Sequence, residues 1–308
     1  MSSSEANLPW HHVTVTTDLS ASSEPALHAA AELARLSGAR VTLLHVIGFS
    51  GLSEASVLRD SLVKLEREYR AGAQPRLEAL CERIFQGVSV EIAVVEGMGG
   101  ASSICTYARE HAVDLLVIAT HGRTGAKRFV LGSVTERVVQ HAPCDVFVVR
   151  SGIELKADGH LQFQKIFVPT DFSRSAEHAL ERAVHLAKLA QGEIHLLHAY
   201  TLPVTVGVSD VPLAFPQEFF DQVRDAAQAH LDRLVRTVTA QGVRVQPHLV
   251  CDTPARAILE AAESIVPDVI VMGTHGRTGM KHVLLGSVAE RTVRLAHCPV
   301  MTIKSPQD

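Results

Sequence analysis

Two tandem α/β domains, each a five-stranded, mostly parallel sheet with helices on both faces, are what this 308-residue sequence predicts. The first reason is an internal duplication. Thr120-His121-Gly122-Arg123-Thr124-Gly125 returns as Thr274-His275-Gly276-Arg277-Thr278-Gly279, and Leu131-Gly132-Ser133-Val134 returns as Leu285-Gly286-Ser287-Val288. Asp18 recurs as Asp171 and His45 as His198, both 153 residues on, and Gly132 as Gly286, 154 on, so a single-residue indel separates the halves. A repeat of about 150 residues has the length of a domain and is far too long for a solenoid unit. The second reason is the alternation of short apolar runs with helix-length segments in each half, and the third is the character of those runs. They are near-continuous Val, Ile and Leu, the composition of parallel strands buried on both faces.

In the first half the strand-like runs are Val13–Thr17, Val41–Val46, Val88–Val95, Leu115–Ala119 and Val146–Val149. Pro25–Leu36, Leu58–Phe85 and Ser102–His111 are long enough for the helices between them. The second half matches with strands at Ile166–Thr170, Ile194–Ala199, Val243–Val250, Val269–Gly273 and Val300–Ile303, and helices near Ala176–Ala190, Gln217–Ala240 and Ala255–Ser264. The domains are therefore set at 10–150 and 165–304, with the polar stretch 151–164 as linker and disorder expected up to about Pro9.

Composition narrows the class. The chain is 46% apolar, enough for two cores, and its apolar runs are too short to span a bilayer. The first residues, Ser2, Ser3, Ser4 and Glu5, lack the basic start and apolar stretch of a signal peptide, so a soluble cytoplasmic protein is expected. A formal charge of −4 offers no basic face for nucleic acid. Five cysteines without C-x-x-C spacing (Cys81, Cys105, Cys144, Cys251, Cys298) read as buried reduced thiols.

Open α/β sheets bind ligands at the carboxyl ends of their strands. Asp18 and Asp171 end the first strand of each half, His45-Val46 and His198-Ala199 the second, and the Gly-rich motif follows the fourth. Three loops that converge on one rim each carry a repeated feature. Ser133-Val134-Thr135-Glu136 and Ser287-Val288-Ala289-Glu290 each open a last helix. One reading makes each a capping box, with Ser and Glu satisfying each other's backbone N–H groups. The other makes each helix start an anion site, approached through a glycine. Gly273 and Gly276 flank Thr274-His275, and nine residues separate Gly276 from Gly286-Ser287, so the second half reads G-x-x-G-x9-G-S. A tight turn explains one of these glycines and not the set.

In these residues the chain resembles the universal stress protein family, specifically its ATP-binding branch, arranged as a tandem pair. The resemblance implies a Rossmann-like fold of the adenine-nucleotide-alpha-hydrolase type, and ATP as ligand with Mg²⁺ or Mn²⁺ on its phosphates. It implies that Thr17-Asp18 and Thr170-Asp171 hold the adenosine and that the backbone of Val46 and Ala199 meets the adenine. Ribose and phosphates would fall to Gly122, Gly132, Ser133 and Val134 in one half, and to Gly273, Gly276, Gly286, Ser287 and Val288 in the other. It further implies that Val146–Val149 and Val300–Ile303 pair edge to edge within the chain, with a homodimer of chains as a further option. Two departures stand out: Ala119 replaces the first motif glycine, and Asp145 stands where the second half has Pro299. Ala119 makes the C-terminal cleft the expected tighter site, on the premise that this position needs a left-handed backbone or touches the ribose.

The remaining residues read more plainly. Seventeen histidines invite a metal reading, but His195 and His198 lie three apart on a strand and so on opposite faces, and the histidines are taken as structural. His121, His275, Arg123 and Arg277 are either phosphate partners or, respectively, loop-orienting residues and solvated charges. No phosphate-loop lysine motif, triad order or acidic two-metal cluster is present, so no catalytic residue is assigned. The leading expectation is a stress-response regulatory protein whose ATP tunes conformation or assembly. A slow ATPase or self-phosphorylating protein, and a structural pseudo-dimer with empty clefts, are the alternatives. Pro203–Pro216, apolar, with a milder counterpart at Ile47–Val57, reads as a lid folded over its own core or as a partner surface.

Overall fold

The computed structural model describes residues 10–48, 59–97, 99–120, 131–151, 153, 161–202, 216–276 and 285–305. The first half runs β1 (His12–Thr17), a 3₁₀ turn (Ala21–Ser23), α1 (Glu24–Ser37), β2 (Arg40–Gly48), α2 (Arg59–Ile84), β3 (Val90–Gly97), α3 (Gly100–Glu110), β4 (Leu115–Ala119), α4 (Ser133–His141) and β5 (Asp145–Val149). The second runs β6 (Lys165–Pro169), α5 (Arg174–Ala190), β7 (Glu193–Tyr200), α6 (Gln217–Thr239), β8 (Arg244–Cys251), α7 (Pro254–Ile265), β9 (Val269–Gly273), α8 (Ser287–Leu295) and β10 (Val300–Ile303). The expected N-terminal disorder and the bulk of both lid loops, 49–58 and 203–215, lie outside the described residues.

The ten strands of the described residues form one sheet in the order β3-β2-β1-β4-β5-β10-β9-β6-β7-β8. Pairing is parallel within each half and antiparallel where β5 meets β10, with Val148 opposite Val300 and Val146 opposite Thr302. The two five-stranded sheets of the sequence reading are thus halves of one, joined edge to edge, which covers two otherwise exposed strand edges. In each half the chain runs outward from its first strand and then crosses back to its fourth. That reversal opens a crevice at the strand ends.

Alternation along the strands supplies two cores. Val15, Leu43, Val117 and Phe147 face α1, α2, α5 and α6, while Leu44, Leu116, Ile118 and Val148 face the layer of α3, α4, α7 and α8. Alanines at 26, 29, 30, 31 and 34 let α1 lie close on the sheet, and Gly38 ends it in a left-handed cap (φ 70°). Leu161 and Phe163, assigned to the linker, are buried in this core, with the Phe163 ring 6.1 Å from that of Phe147. The second domain's packing therefore begins before Lys165, because this end of the linker carries apolar side chains that the sheet can cover.

Asp145 explains its own departure from Pro299. It is 6% exposed, accepts hydrogen bonds from Trp10 Nε1 (2.9 Å) and the Lys304 backbone N–H (2.9 Å), and lies 3.6 Å from Arg182 on α5. One carboxylate ties the start of the chain, the end of β10 and a helix of the other half. Burial raises its pKa despite these partners.

Among the cysteines, Cys105 is buried, and burial pushes the Cys144 and Cys298 thiols up to about 12. Cys251 contradicts the buried reading: it is exposed, at the end of β8, the edge strand of the sheet among the described residues. No helix among the described residues is long and apolar enough to cross a membrane.

Candidate functional site

Each half has a cavity at its crevice. The N-terminal one, about 330 Å³, is lined by Thr17, Asp18, Val46, Ala119, Gly132, Ser133 and Val134. The C-terminal one, about 180 Å³, is lined by Thr170, Asp171, Ala199, Gly273, Gly276, Ser287 and Val288. The sequence-derived residues therefore converge, except that Gly122 lies outside the described residues and Gly286 is not among those that line its cleft. His121, Arg123 and Arg277 also fall outside.

The aspartates are held by the turns they begin. In the first half Thr17 Oγ1 accepts from the Leu19 N–H (3.0 Å) and Asp18 Oδ1 from the Ser20 N–H (3.0 Å). In the second, Thr170 Oγ1 accepts from Phe172 N–H (3.1 Å) and Asp171 Oδ1 from Ser173 N–H (3.0 Å). Both turns force a non-glycine residue to positive φ, Leu19 at 65° and Phe172 at 62°. Such strain is uncommon for large side chains, and its recurrence in the two halves marks a fixed turn.

The histidines lock the neighbouring strand to that turn. His45 Nδ1 donates to the Thr17 carbonyl at 2.8 Å, and His198 Nδ1 to that of Thr170 at 2.7 Å. His195 faces the other way, stacked on His248. These are satisfied structural histidines. His45 does not end its strand, however, because β2 continues beside β3 to Gly48 while its pairing with β1 stops at Thr17 opposite His45. Past that point β2 has no strand neighbour on its β1 flank, so the Val46 backbone borders the cavity. The same holds at Ala199, since β6 pairs with β7 only as far as Leu197.

The capping box is overturned. The N-caps of α4 and α8 are Gly132 (φ −66°, ψ 145°) and Gly286 (φ −68°, ψ 146°), and neither helix has a side-chain cap. Each helix begins one residue earlier than the Ser-x-x-Glu pattern requires, because Gly132 N–H is anchored on the Thr120 carbonyl and Gly286 N–H on that of Thr274, both at 2.8 Å. Glu136 and Glu290 instead share Arg294, at 3.2 and 2.8 Å, across the junction of the halves. Ser133 and Ser287 are the first helical residues, and their N–H groups, with those following, have no intrahelical acceptor.

The glycines show why side chains are excluded. A Cβ on Gly276 would lie 2.8 Å from Asp171 Oδ2, and one on Gly286 would lie 3.1 Å from the Thr274 carbonyl. Gly273 is different. It has no positive φ, and a Cβ there would meet Ser175, 2.9 Å from its backbone, so the left-handed premise for ranking the clefts is wrong, while Gly273 does line its cleft. Gly273 lets β9 approach the first turn of α5. Ala119 is tolerated because a 3₁₀ turn delivers the chain into α1, whose helix starts later at Glu24.

Sequence reading missed the walls. Ile104, Ile118 and Thr135 line the first cleft with Gly100, and Ile258 and Met272 line the second with Pro254. Thr135 Oγ1 donates to the Ala119 carbonyl (2.7 Å), a bond that Ala289 cannot make. His275 Nδ1 lies 3.1 Å from Thr274 Oγ1 at the rim of the second cleft. A signal for the walls lay in register, since Gly100 and Pro254 are 154 residues apart, as Gly132 and Gly286 are.

A sheet order with its crossover at the first and fourth strands, two matched clefts there and glycine-capped helix starts define a tandem α/β domain protein of one lineage. The universal stress protein family matches residues 9–150 and again 162–304, and the chain belongs to that family. A universal stress protein of Methanocaldococcus jannaschii is 33% identical over 151 residues, covering 49% of this chain and 87% of the relative. One from Mycolicibacterium smegmatis is 26% identical over 298 residues, covering 95% of this chain and 96% of its own length. The crystal structure of a universal stress protein from Archaeoglobus fulgidus shares the fold with a TM-score of 0.68 at 24% identity, covering 96% of this chain and 98% of the other.

Proposed function

We propose that this chain is a stress-response regulatory protein that binds ATP in both clefts, in the cytoplasm, and that occupancy tunes its conformation or assembly. The observation that carries the reading is the pair of helix starts, α4 and α8, each capped by a glycine with no side-chain cap and each opening beside an Asp-bearing turn. Unsatisfied N–H groups at a positive helix end suit an anion. The open β2 and β7 flanks at Val46 and Ala199 suit the hydrogen-bonding edge of a base. Ribose falls between them, at Asp18 or Asp171, with Gly276 close against the latter carboxylate.

In this reading Mg²⁺ or Mn²⁺ rides on the phosphates and neutralises their charge. Neither cavity is lined by Lys or Arg among the described residues, and each Asp already spends Oδ1 on its own turn. Without a positioned base or cation, turnover should fall well below the roughly 1 to 10³ per second of typical enzymes. ATP then acts by mass action, stabilising whichever state binds it. Mass spectrometry of small molecules released on denaturing the purified protein tests the assignment. Adenine nucleotide is the expected finding; a chain that releases none and shows no thermal shift with ATP would be the structural pseudo-dimer instead.

A further inference from the structure

A second cavity, of about 420 Å³, lies between α3 and α4 in the first half, and nothing above assigns it a role. Gly100, Ser133 and Val134 line both it and the N-terminal cleft, so the two meet where the helices α3 and α4 begin. From that mouth the groove is lined by Arg109, Arg137 and His141 and, among the described residues, by no acidic one. Arg137 is one helical turn beyond Ser133 and His141 two, about 6 and 12 Å along the axis. His141 Nδ1 donates to the Arg137 carbonyl, which turns its other nitrogen outward. Neither arginine has an acidic partner among the described residues, whereas most arginines on neighbouring helices do.

The second half keeps one member of this set, Arg291 at the position of Arg137, and has lost the other two. At the position of Arg109, 154 residues on, stands Glu263, and Leu295 replaces His141. Arg256, in the place of Ser102, is tied to Asp252 at 3.3 Å and Glu260 at 2.7 Å. Duplication supplied both halves with one framework, and among the described residues the first continues the arginine of its last helix with Arg109 and His141, where the second has an acidic and an apolar residue. We propose that this groove is an oligophosphate site that extends the N-terminal cleft, so that this cleft prefers a longer phosphate chain than the C-terminal one. The proposal rests on the placing of nucleotide phosphates at Ser133. Two helix N-termini at the mouth attract the first phosphates, and Arg137, Arg109 and His141 take those that follow with charge-assisted hydrogen bonds.

Calorimetric titration of the full chain at low salt, with ATP, adenosine 5′-tetraphosphate and inorganic tripolyphosphate, tests it. Arg109→Glu, which installs the charge the second half carries, and Arg137→Gln are exposed helix-surface changes, and a circular dichroism melt checks their folding. Tetraphosphate should bind one of two sites about ten-fold more tightly than ATP, the scale of one hydrogen bond to a charged group. Both variants should abolish that gain while ATP binding changes little. If tripolyphosphate alone binds, one per chain and with the same dependence on the arginines, the source is free oligophosphate; if only the tetraphosphate does, it is nucleotide-linked. A gain that survives both substitutions, or no gain together with no tripolyphosphate binding, overturns the proposal. Loss of ATP binding altogether would instead refute the nucleotide reading, and the tripolyphosphate arm would still decide the groove.

Discussion

The two clefts descend from one sequence and keep the same Asp turn, the same histidine lock and the same glycine-capped helix, yet their walls have diverged. The first is open, about 330 Å³, walled by Gly100 and Ile118; the second is about 180 Å³ among the described residues, with Pro254 and Met272 in those places. What duplication preserved is backbone geometry at the rim. What it released is the side-chain surround, in which Arg109 faces Glu263 and Asp145 faces Pro299 across the repeat. Equivalence of the clefts therefore holds for the helix-start contacts and fails for size and charge.

Asp145 is where breaking the symmetry should cost most. Asp145→Ala leaves the buried Trp10 Nε1–H and the Lys304 N–H without their acceptor, and should destabilise by about 3 kcal/mol, read as a lower urea midpoint. Pro299→Ala, at the matching position, removes no such acceptor and should shift that midpoint far less. Equal shifts would mean that Asp145 is not the pin described.

Next in size is the pair Gly273→Ala and Ala119→Gly. The new methyl at 273 presses on the backbone of Ser175, so overpacking of roughly 1 to 3 kcal/mol is expected. Ala119→Gly should cost only about 0.5 to 1 kcal/mol, the usual penalty for glycine inside a strand. Both are destabilising by thermal melt, and Ala119→Gly should not tighten ATP binding. A marked gain of affinity there would mean that this position acts on the ligand and not through the packing against the following helix.

A smaller effect follows from the raised pKa of Asp145. A carboxylate whose folded pKa exceeds its unfolded value binds its proton more tightly in the folded state. It favours folding fully at pH values below the unfolded pKa, and that advantage is lost as pH rises through the window up to the folded pKa. Asp145→Asn, which keeps an acceptor, should remove this downward slope of stability with pH. An unchanged slope in the variant would show that another group sets it.

The strands were legible because Val, Ile and Leu runs of this length and spacing have few alternatives, and the duplication allowed each half to check the other. Convergence of Asp18, Val46, Gly132 and Ser133 on one cavity was also legible, since parallel strands bring these loops to one rim. What escaped were features fixed by contacts between distant segments. The cap fell on Gly132 because of a bond to Thr120, not because of the Ser-x-x-Glu spacing. The role of Gly273 depends on Ser175, almost a hundred residues earlier. Phe163 joined the core although polar neighbours surround it in sequence. The groove pairs Arg109 with Arg137 across two helices, and only aligning the halves residue by residue would have shown that Glu263 opposes it.

The account stands on phosphate capture at the two glycine-capped helix starts, and titration of Mg²⁺-ATP into the Ser133→Asp, Ser287→Asp double variant tests it most directly. A carboxylate at the first helical position favours the helix by about 0.3 to 1 kcal/mol, so the variant should melt no lower than the native chain. It places negative charge where the phosphates would sit, and each single variant should abolish one of two binding events, the double variant both. Native ATP heats in a double variant that remains folded would contradict the central claim.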